Sequence, residues 1–402
     1  MRKFGSAAIK PWSHMGAPAV DRISHLAVQI FAEVLSAVRR AGNEPPGGPL
    51  TVARALAERA LADTVTVAPA DDPHTDTTTH ISVVTVPAVL ASVGDARAYL
   101  AGAGVMARLG AMLGRGHCAA GWQAMCTAGA PAAAVAAGPA FGLDVTGLAT
   151  AMALAVPAAG GGQEAFGTHG KSLQVGFAAD AGVRAARPAR AGATADPRAL
   201  DGRLERVGGT PGTDFPAVPA VPGGPAVKLF LCCYAMQRPI AALREVREVR
   251  DRVRGEVTAV TVSTPAGTVH PLIHDRPATV LGGKFSLPYA VAAVRRCAAR
   301  TLVERVRADR LQGETSSLLD GRVSLRIDLA DGSEVHTGLA LPPGAPGRPL
   351  SDADLCAKAA ACEPDVPALL DGLTWAGAAE VPQTHFPYFA HDPHSPNEGQ
   401  EA

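Results

Sequence analysis

Apolar residues recur at helical spacing early in the chain. Val20, Ile23, Leu26, Ala27, Ile30, Phe31, Val34, Leu35 and Val38 share one face, while Asp21, Arg22, His25, Glu33 and Arg39 fall largely on the other. A Pro/Gly run over 42–49 ends that helix. Further helices are expected over 51–62, 81–90, 96–113 and 177–191. Residues 129–154 are so rich in Ala and Gly that they predict helices packed at close approach. Residues 208–225, GGTPGTDFPAVPAVPGGP, suit neither a helix interior nor a central strand, and mark a boundary. Beyond it the texture changes. Val257 to Ser263 is rich in Val and Thr and reads as a strand. Val323, Leu325, Ile327 and Leu329 alternate with Ser324, Arg326 and Asp328, the period of a half-buried strand. Asp331-Gly332 turns that strand into a partner near 335–341. A helix is expected over 287–300, with Pro288 in its first turn. Pro342 to Pro349 punctuates again, and Ser351 offers a cap to a last helical stretch with Asp354 in its first turn. The pattern predicts a mainly α chain: an all-helical body over 1–225, a smaller α+β insert over 226–345, and a return to helix over 346–402.

Charge and composition narrow the function. Lys+Arg and Asp+Glu are equal at 37 each, and aromatic residues make up 4% of the 402. There is no basic footprint for nucleic acid and little material for base stacking. Any cationic site is therefore local. The seven cysteines are scattered, Cys232 and Cys233 are adjacent, and no C-x-x-C pair exists, which suits reduced cytoplasmic thiols better than bridges or zinc. The start, Met1-Arg2-Lys3, lacks the apolar core of a secretory signal. Between Ala128 and Gly162 the only charge is Asp144, but Pro131, Pro139 and Pro157 interrupt the stretch, so buried helices are expected there rather than a membrane span.

Three segments carry the candidate chemistry. They are Gly170-Lys171-Ser172-Leu173-Gln174-Val175-Gly176 followed by Phe177-Ala178-Ala179, then Lys228-Leu229-Phe230-Leu231-Cys232-Cys233, then Lys284-Phe285-Ser286-Leu287-Pro288-Tyr289-Ala290-Val291-Ala292. In this order they resemble the MmgE/PrpD family of metal-free lyases and isomerases, which includes 2-methylcitrate dehydratase, cis-aconitate decarboxylase and iminodisuccinate epimerase. Upstream, Asp71-Asp72-Pro73-His74 and His80-Ile81-Ser82 resemble the family's DDTH…HPS segment. The resemblance spans roughly Leu50 to Asp371. It implies a helical body built from both chain ends, a lid between them, a homodimer, a small-molecule substrate, and neither cofactor nor metal. Carried over by motif, His80, Lys171, Lys228 and Tyr289 are the expected catalytic residues. Gln123, Asp72, His74, Trp122 and Met125 are the expected substrate contacts.

Those residue types suit proton transfer beside a carboxylate. Lysine ammonium groups hold the anion and stabilise the charge that grows when an α-proton leaves. Histidine exchanges protons near neutral pH, and a phenol donates a hydrogen bond or passes a proton. The plain alternatives are solvated lysines, a packed tyrosine and a polar loop. Asp71, Asp72, Asp76, His74 and His80 have no ligand spacing that fits a metal. His270 and His274 stand four apart, but Pro271 pushes His270 off helical geometry. Gly160-Gly161-Gly162 follows no strand and is not read as a phosphate loop.

Three positions depart from the family pattern. Pro69 stands where an Asp is usual, Gln123 where a GWHxT motif has His, and Gln237-Arg238 where a His is common. Three functions stay open: a lyase or isomerase acting beside a carboxylate or other acidic carbon, a relative turned in specialised metabolism to cyclising or rearranging a larger, less charged, polyketide-like molecule, and a non-catalytic binding homologue. Met125 and Pro69 make the pocket less polar, which suits the second.

Overall fold

The structure is a computed structural model. It describes residues 52, 53, 56, 79–215, 221, 226–249, 257–269, 271–294, 302–311 and 321–362. The expected helix over 20–38 lies outside the described residues, as do Asp72 and His74.

The first unit is helical. Its elements are α1 (Ser82–Ala91), α2 (Ala96–Ala119), the single turn α3 (Ala124–Thr127), α4 (Gly129–Ala137), α5 (Val145–Ala155), α6 (Gly170–Arg190) and α7 (Ala199–Arg206). Asp95 opens α2 by accepting from the backbone N–H of Arg97 and Ala98, both at 3.0 Å. Asp144 opens α5 through Gly147 N–H at 2.8 Å. Every residue of α4 is buried, and α1, α2, α5 and α6 pack around it. The stretch Ala124–Phe141 is long and apolar enough to cross a membrane, but 83% of it is buried inside the structure, where the Ala/Gly-rich pattern had put packed helices.

That packing depends on missing side chains. A Cβ on Gly182 of α6 would meet the Ala130 carbonyl oxygen and the Ala134 nitrogen of α4, each at 2.5 Å. Backbone cannot step aside as a flexible side chain can. Gly182→Ala should therefore destabilise the protein by about 1–3 kcal/mol, against a helix-propensity gain of at most ~1 kcal/mol. Urea unfolding of the variant checks this; an unchanged midpoint would mean that α4 and α6 separate freely.

The second unit contains α8 (Gln237–Val249), β1 (Val257–Pro265), the short α9 (Ala266–Val269) and α10 (Val280–Gly283), α11 (Leu287–Val294), β2 (Val306–Leu311), β3 (Val323–Leu329) and β4 (Glu334–Leu339). The strands form one sheet in the order β2-β1-β3-β4. β1 pairs parallel with β2 (Val260 opposite Val306) and antiparallel with β3 (Val262 opposite Leu325), and β3 pairs antiparallel with β4 (Ile327 opposite Val335). Val323, Leu325, Ile327 and Leu329 face a second hydrophobic core that includes Met236, Leu243, Val262, Leu287 and Val291. The expected mainly α class with an α+β part is corrected in one respect: the chain is mostly helical, but its mixed β-sheet has four strands, one more than the sequence showed. The strand absent from the sequence reading, β2, lies at an edge, and only Val306 of Val306–Leu311 is buried. A polar edge strand leaves no period-two signal. After the sheet, α12 (Asp352–Cys362) begins at Ser351, whose Oγ donates to Asp354 Oδ2 at 2.6 Å.

Candidate active site

Three chain segments meet where the two units face each other. His80 lies two residues before α1, Lys171 is the second residue of α6, and Lys228 lies in extended chain ahead of α8. The Lys228 ammonium donates to His80 Nε2 at 3.0 Å; His80 Nδ1 lies 3.5 Å from the same nitrogen. Burial holds the His80 pKa well below its ordinary value, and the charges of Lys228 and then Lys171 push the same way. His80 keeps some solvent contact, yet the protein around it makes an imidazolium costly. It is therefore a neutral imidazole at pH 7.

Lys228 is positioned through the backbone of its neighbours. Val227, beside Lys228, donates its N–H to the Gly344 carbonyl at 2.7 Å. Gly344 has φ +87°, and a Cβ there would strike the Val227 carbonyl, so only glycine fits. On the other side the buried Gln237 side chain brackets Phe230: it accepts from Phe230 N–H and donates to Phe230 C=O, both at 2.9 Å. Gln237 also donates to Cys232 Sγ at 3.3 Å. Gln237 thus shapes the loop that carries Lys228. Its neighbour Arg238 is buried, with Gly321 C=O and Thr268 Oγ1 among its acceptors.

Lys171 reaches a different wall. Its charge acts on Cys126 of α3, whose thiol burial nonetheless pushes up to about 12. Cys126 is thus a protonated, apolar-side group. Gly161, at φ +117°, passes so close that a Cβ there would sit 2.8 Å from Cys126 Sγ. The run 160–162 is a brace: Gln123 N–H donates to Gly161 C=O at 2.9 Å, Gln163 N–H donates to Gly121 C=O at 2.8 Å, and Gln174 of α6 exchanges two 3.2 Å bonds with Gly162.

The MmgE/PrpD N-terminal domain matches residues 47–205. That match supports membership in the MmgE/PrpD family. No curated protein matches the chain. The family is dehydratase- and lyase-like and includes isomerases. The matched range holds His80, Gln123 and Lys171, while Lys228 and Tyr289 lie beyond it.

The other residues expected from the MmgE/PrpD resemblance are placed unevenly. Gln123 precedes α3 and is only 5% exposed, and its Nε2 makes no hydrogen bond among the described residues. It is a buried neutral donor where the family pattern has an imidazole. Met125 is buried beside Cys126. Trp122 is engaged in packing: it stacks on His117 at 5.9 Å with 7° between planes, and the Arg203 guanidinium lies 5.3 Å from its ring. Tyr289 sits in the first turn of α11, its N–H on Ser286 Oγ at 3.2 Å and its ring against Gly283; burial raises its pKa. His274 turns one ring nitrogen, Nε2, to the Phe166 carbonyl at 3.4 Å. His270, Asp71 and Asp76 lie outside the described residues. Sequence reasoning missed Cys126 and Phe166, which carry no motif of their own, and Gln174, which lay inside the first segment. It also missed Phe285, which lay in plain view inside the third segment.

Proposed function

We propose that this MmgE/PrpD protein is a lyase or isomerase that moves a proton at the carbon beside a carboxylate, with residues 226–345 acting as the lid over the helical body. The 3.0 Å contact between Lys228 and His80, with Lys171 in charge range of the same ring, carries the reading. Two ammonium groups around a neutral imidazole favour an anion. An incoming carboxylate draws Lys228 off Nε2 and into an ion pair, which bares the imidazole lone pair. His80 then takes the α-proton, and the lysines hold the charge that develops on the carboxylate oxygens. Elimination and epimerisation share this first step, while decarboxylation shares only the need for cations that stabilise developing negative charge. Tyr289 is the candidate proton donor from the lid. The Gln123 amide holds a neutral carbonyl or hydroxyl of the substrate, since it exchanges no proton near pH 7.

A panel of mono-, di- and tricarboxylates incubated with the protein in D2O, followed by proton NMR, tests the reading. Deuterium entry or product formation is expected for at least one acid. The reading fails if such turnover persists in both Lys228→Met and Lys171→Met.

A further inference from the structure

Two phenyl rings from different units meet at Lys171. Phe166 lies just ahead of α6 in the helical unit, and Phe285 lies between α10 and α11 in the sheet unit. The rings stack with centroids 5.1 Å apart and 24° between planes. Lys171 Nζ is 5.4 Å from the Phe166 centroid and 5.5 Å from that of Phe285. The three centres form a nearly equilateral triangle. Both distances lie inside the ~6 Å over which a ring quadrupole attracts a cation. The same seam is closed along its backbone. His274 of the sheet unit reaches the Phe166 carbonyl at 3.4 Å. The next residue, Gly167, has φ +80°; a Cβ there would run into the His274 ring and lie 3.3 Å from Gly282 Cα.

We propose that Phe166 and Phe285 are positioning residues for Lys171: a clasp between body and lid that orders its ammonium group when the lid is seated. The inference rests on the reading of residues 226–345 as a lid and deepens the role given to Lys171. A lysine stem has four rotatable bonds, so a lysine that must hold one geometry needs something to hold it. One ring comes with Lys171's own unit. The other arrives with the lid, in the segment that also carries Tyr289. Lid seating therefore orders the anion-holding lysine and brings the phenol in one movement. The rings cover the amine and stabilise its charged form, which lowers its reactivity toward acylating reagents.

The test is the acetylation rate of Lys171 at fixed pH, read by mass spectrometry against the protein's other lysines, with no substrate present. Phe285→Leu and Phe166→Leu keep apolar bulk but remove the π-face, and each should raise the Lys171 rate about tenfold. Phe285→Tyr should keep the wild-type rate. Should the leucine variants fail to fold, pentafluorophenylalanine at position 285 keeps the ring's shape and reverses its quadrupole, and the same rise is expected. Gly167→Ala, with both rings intact, should also raise the rate by pushing the lid from its seat. An unchanged or lowered rate in Phe285→Leu or in the pentafluoro variant overturns the clasp. A wild-type rate in Gly167→Ala overturns its coupling to the lid. The readout needs no turnover, so a carboxylate reaction that survives both Lys171→Met and Lys228→Met would sink the functional reading and leave the labelling result standing.

Discussion

Methionine in place of Lys228 or Lys171 should slow proton exchange on the accepted carboxylate by about 10²–10³-fold, the cost of removing a preorganised charge stabiliser. Methionine keeps an unbranched apolar stem and deletes the charge, so packing around Phe166, Phe285 and the Val227–Phe230 loop is disturbed least. The loss should fall on kcat as well as on KM. A rise in KM alone would mean that the lysines bind substrate equally before and during reaction. Because both ammonium groups act on one developing charge, the double variant should lose less than the product of the single losses. Arginine should not restore position 228: a planar fork replaces the point donor that meets His80 Nε2 at 3.0 Å. The same substitution makes a second, turnover-free prediction. Lys228 is one of the causes that depress the His80 pKa, so its removal should move the imidazole titration upward, as seen in the NMR shifts of the ring protons.

Much of the candidate site was legible because its residues lie in short motifs. Lys171, Lys228 and Tyr289 each sit in a run whose neighbours constrain them, and His80 follows a polar segment and precedes an apolar helix. Their environment was not legible. Gln237 looked like a loss, but its amide brackets Phe230 and so holds the loop that bears Lys228. Trp122 looked like a substrate contact, but its ring is engaged by His117 and Arg203, residues far from it or unmarked in the sequence. The helix of the first motif starts at Gly170 rather than Phe177. Gly170, Gly176 and the exposed side chains of Leu173 and Phe177 hide its amphipathic period, while buried Val175, Ala178 and Ala179 hold the helix against the core. In the second unit β3 declared itself by strict alternation, whereas β2 depends on pairing with β1 and shows only in the folded chain.

His80→Gln should lower turnover by about 10²–10⁴-fold, the usual contribution of a positioned acid–base group. It should also change how stability depends on pH, and the sign follows from the depressed pKa. Unfolded, His80 regains a value near 6.5. As pH falls through that value, the unfolded chain takes up a proton that the folded chain refuses. Stability is therefore lost on acidification, by at most about 1.4 kcal/mol per pH unit, until the folded-state pKa is reached. His117, also lowered chiefly by burial, contributes in the same direction and is present in both proteins, so the difference between them reports His80. Urea unfolding at pH 7.5 and 5.5 should show the wild type losing up to about 1.4 kcal/mol more than His80→Gln. A carboxylate that pairs with Lys228 and Lys171 should reduce that loss, because neutralising the two cations makes the folded imidazolium less costly. Equal losses in the two proteins would mean that His80 titrates as a solvated histidine, and the imidazole would then not be the neutral proton acceptor that this chemistry requires.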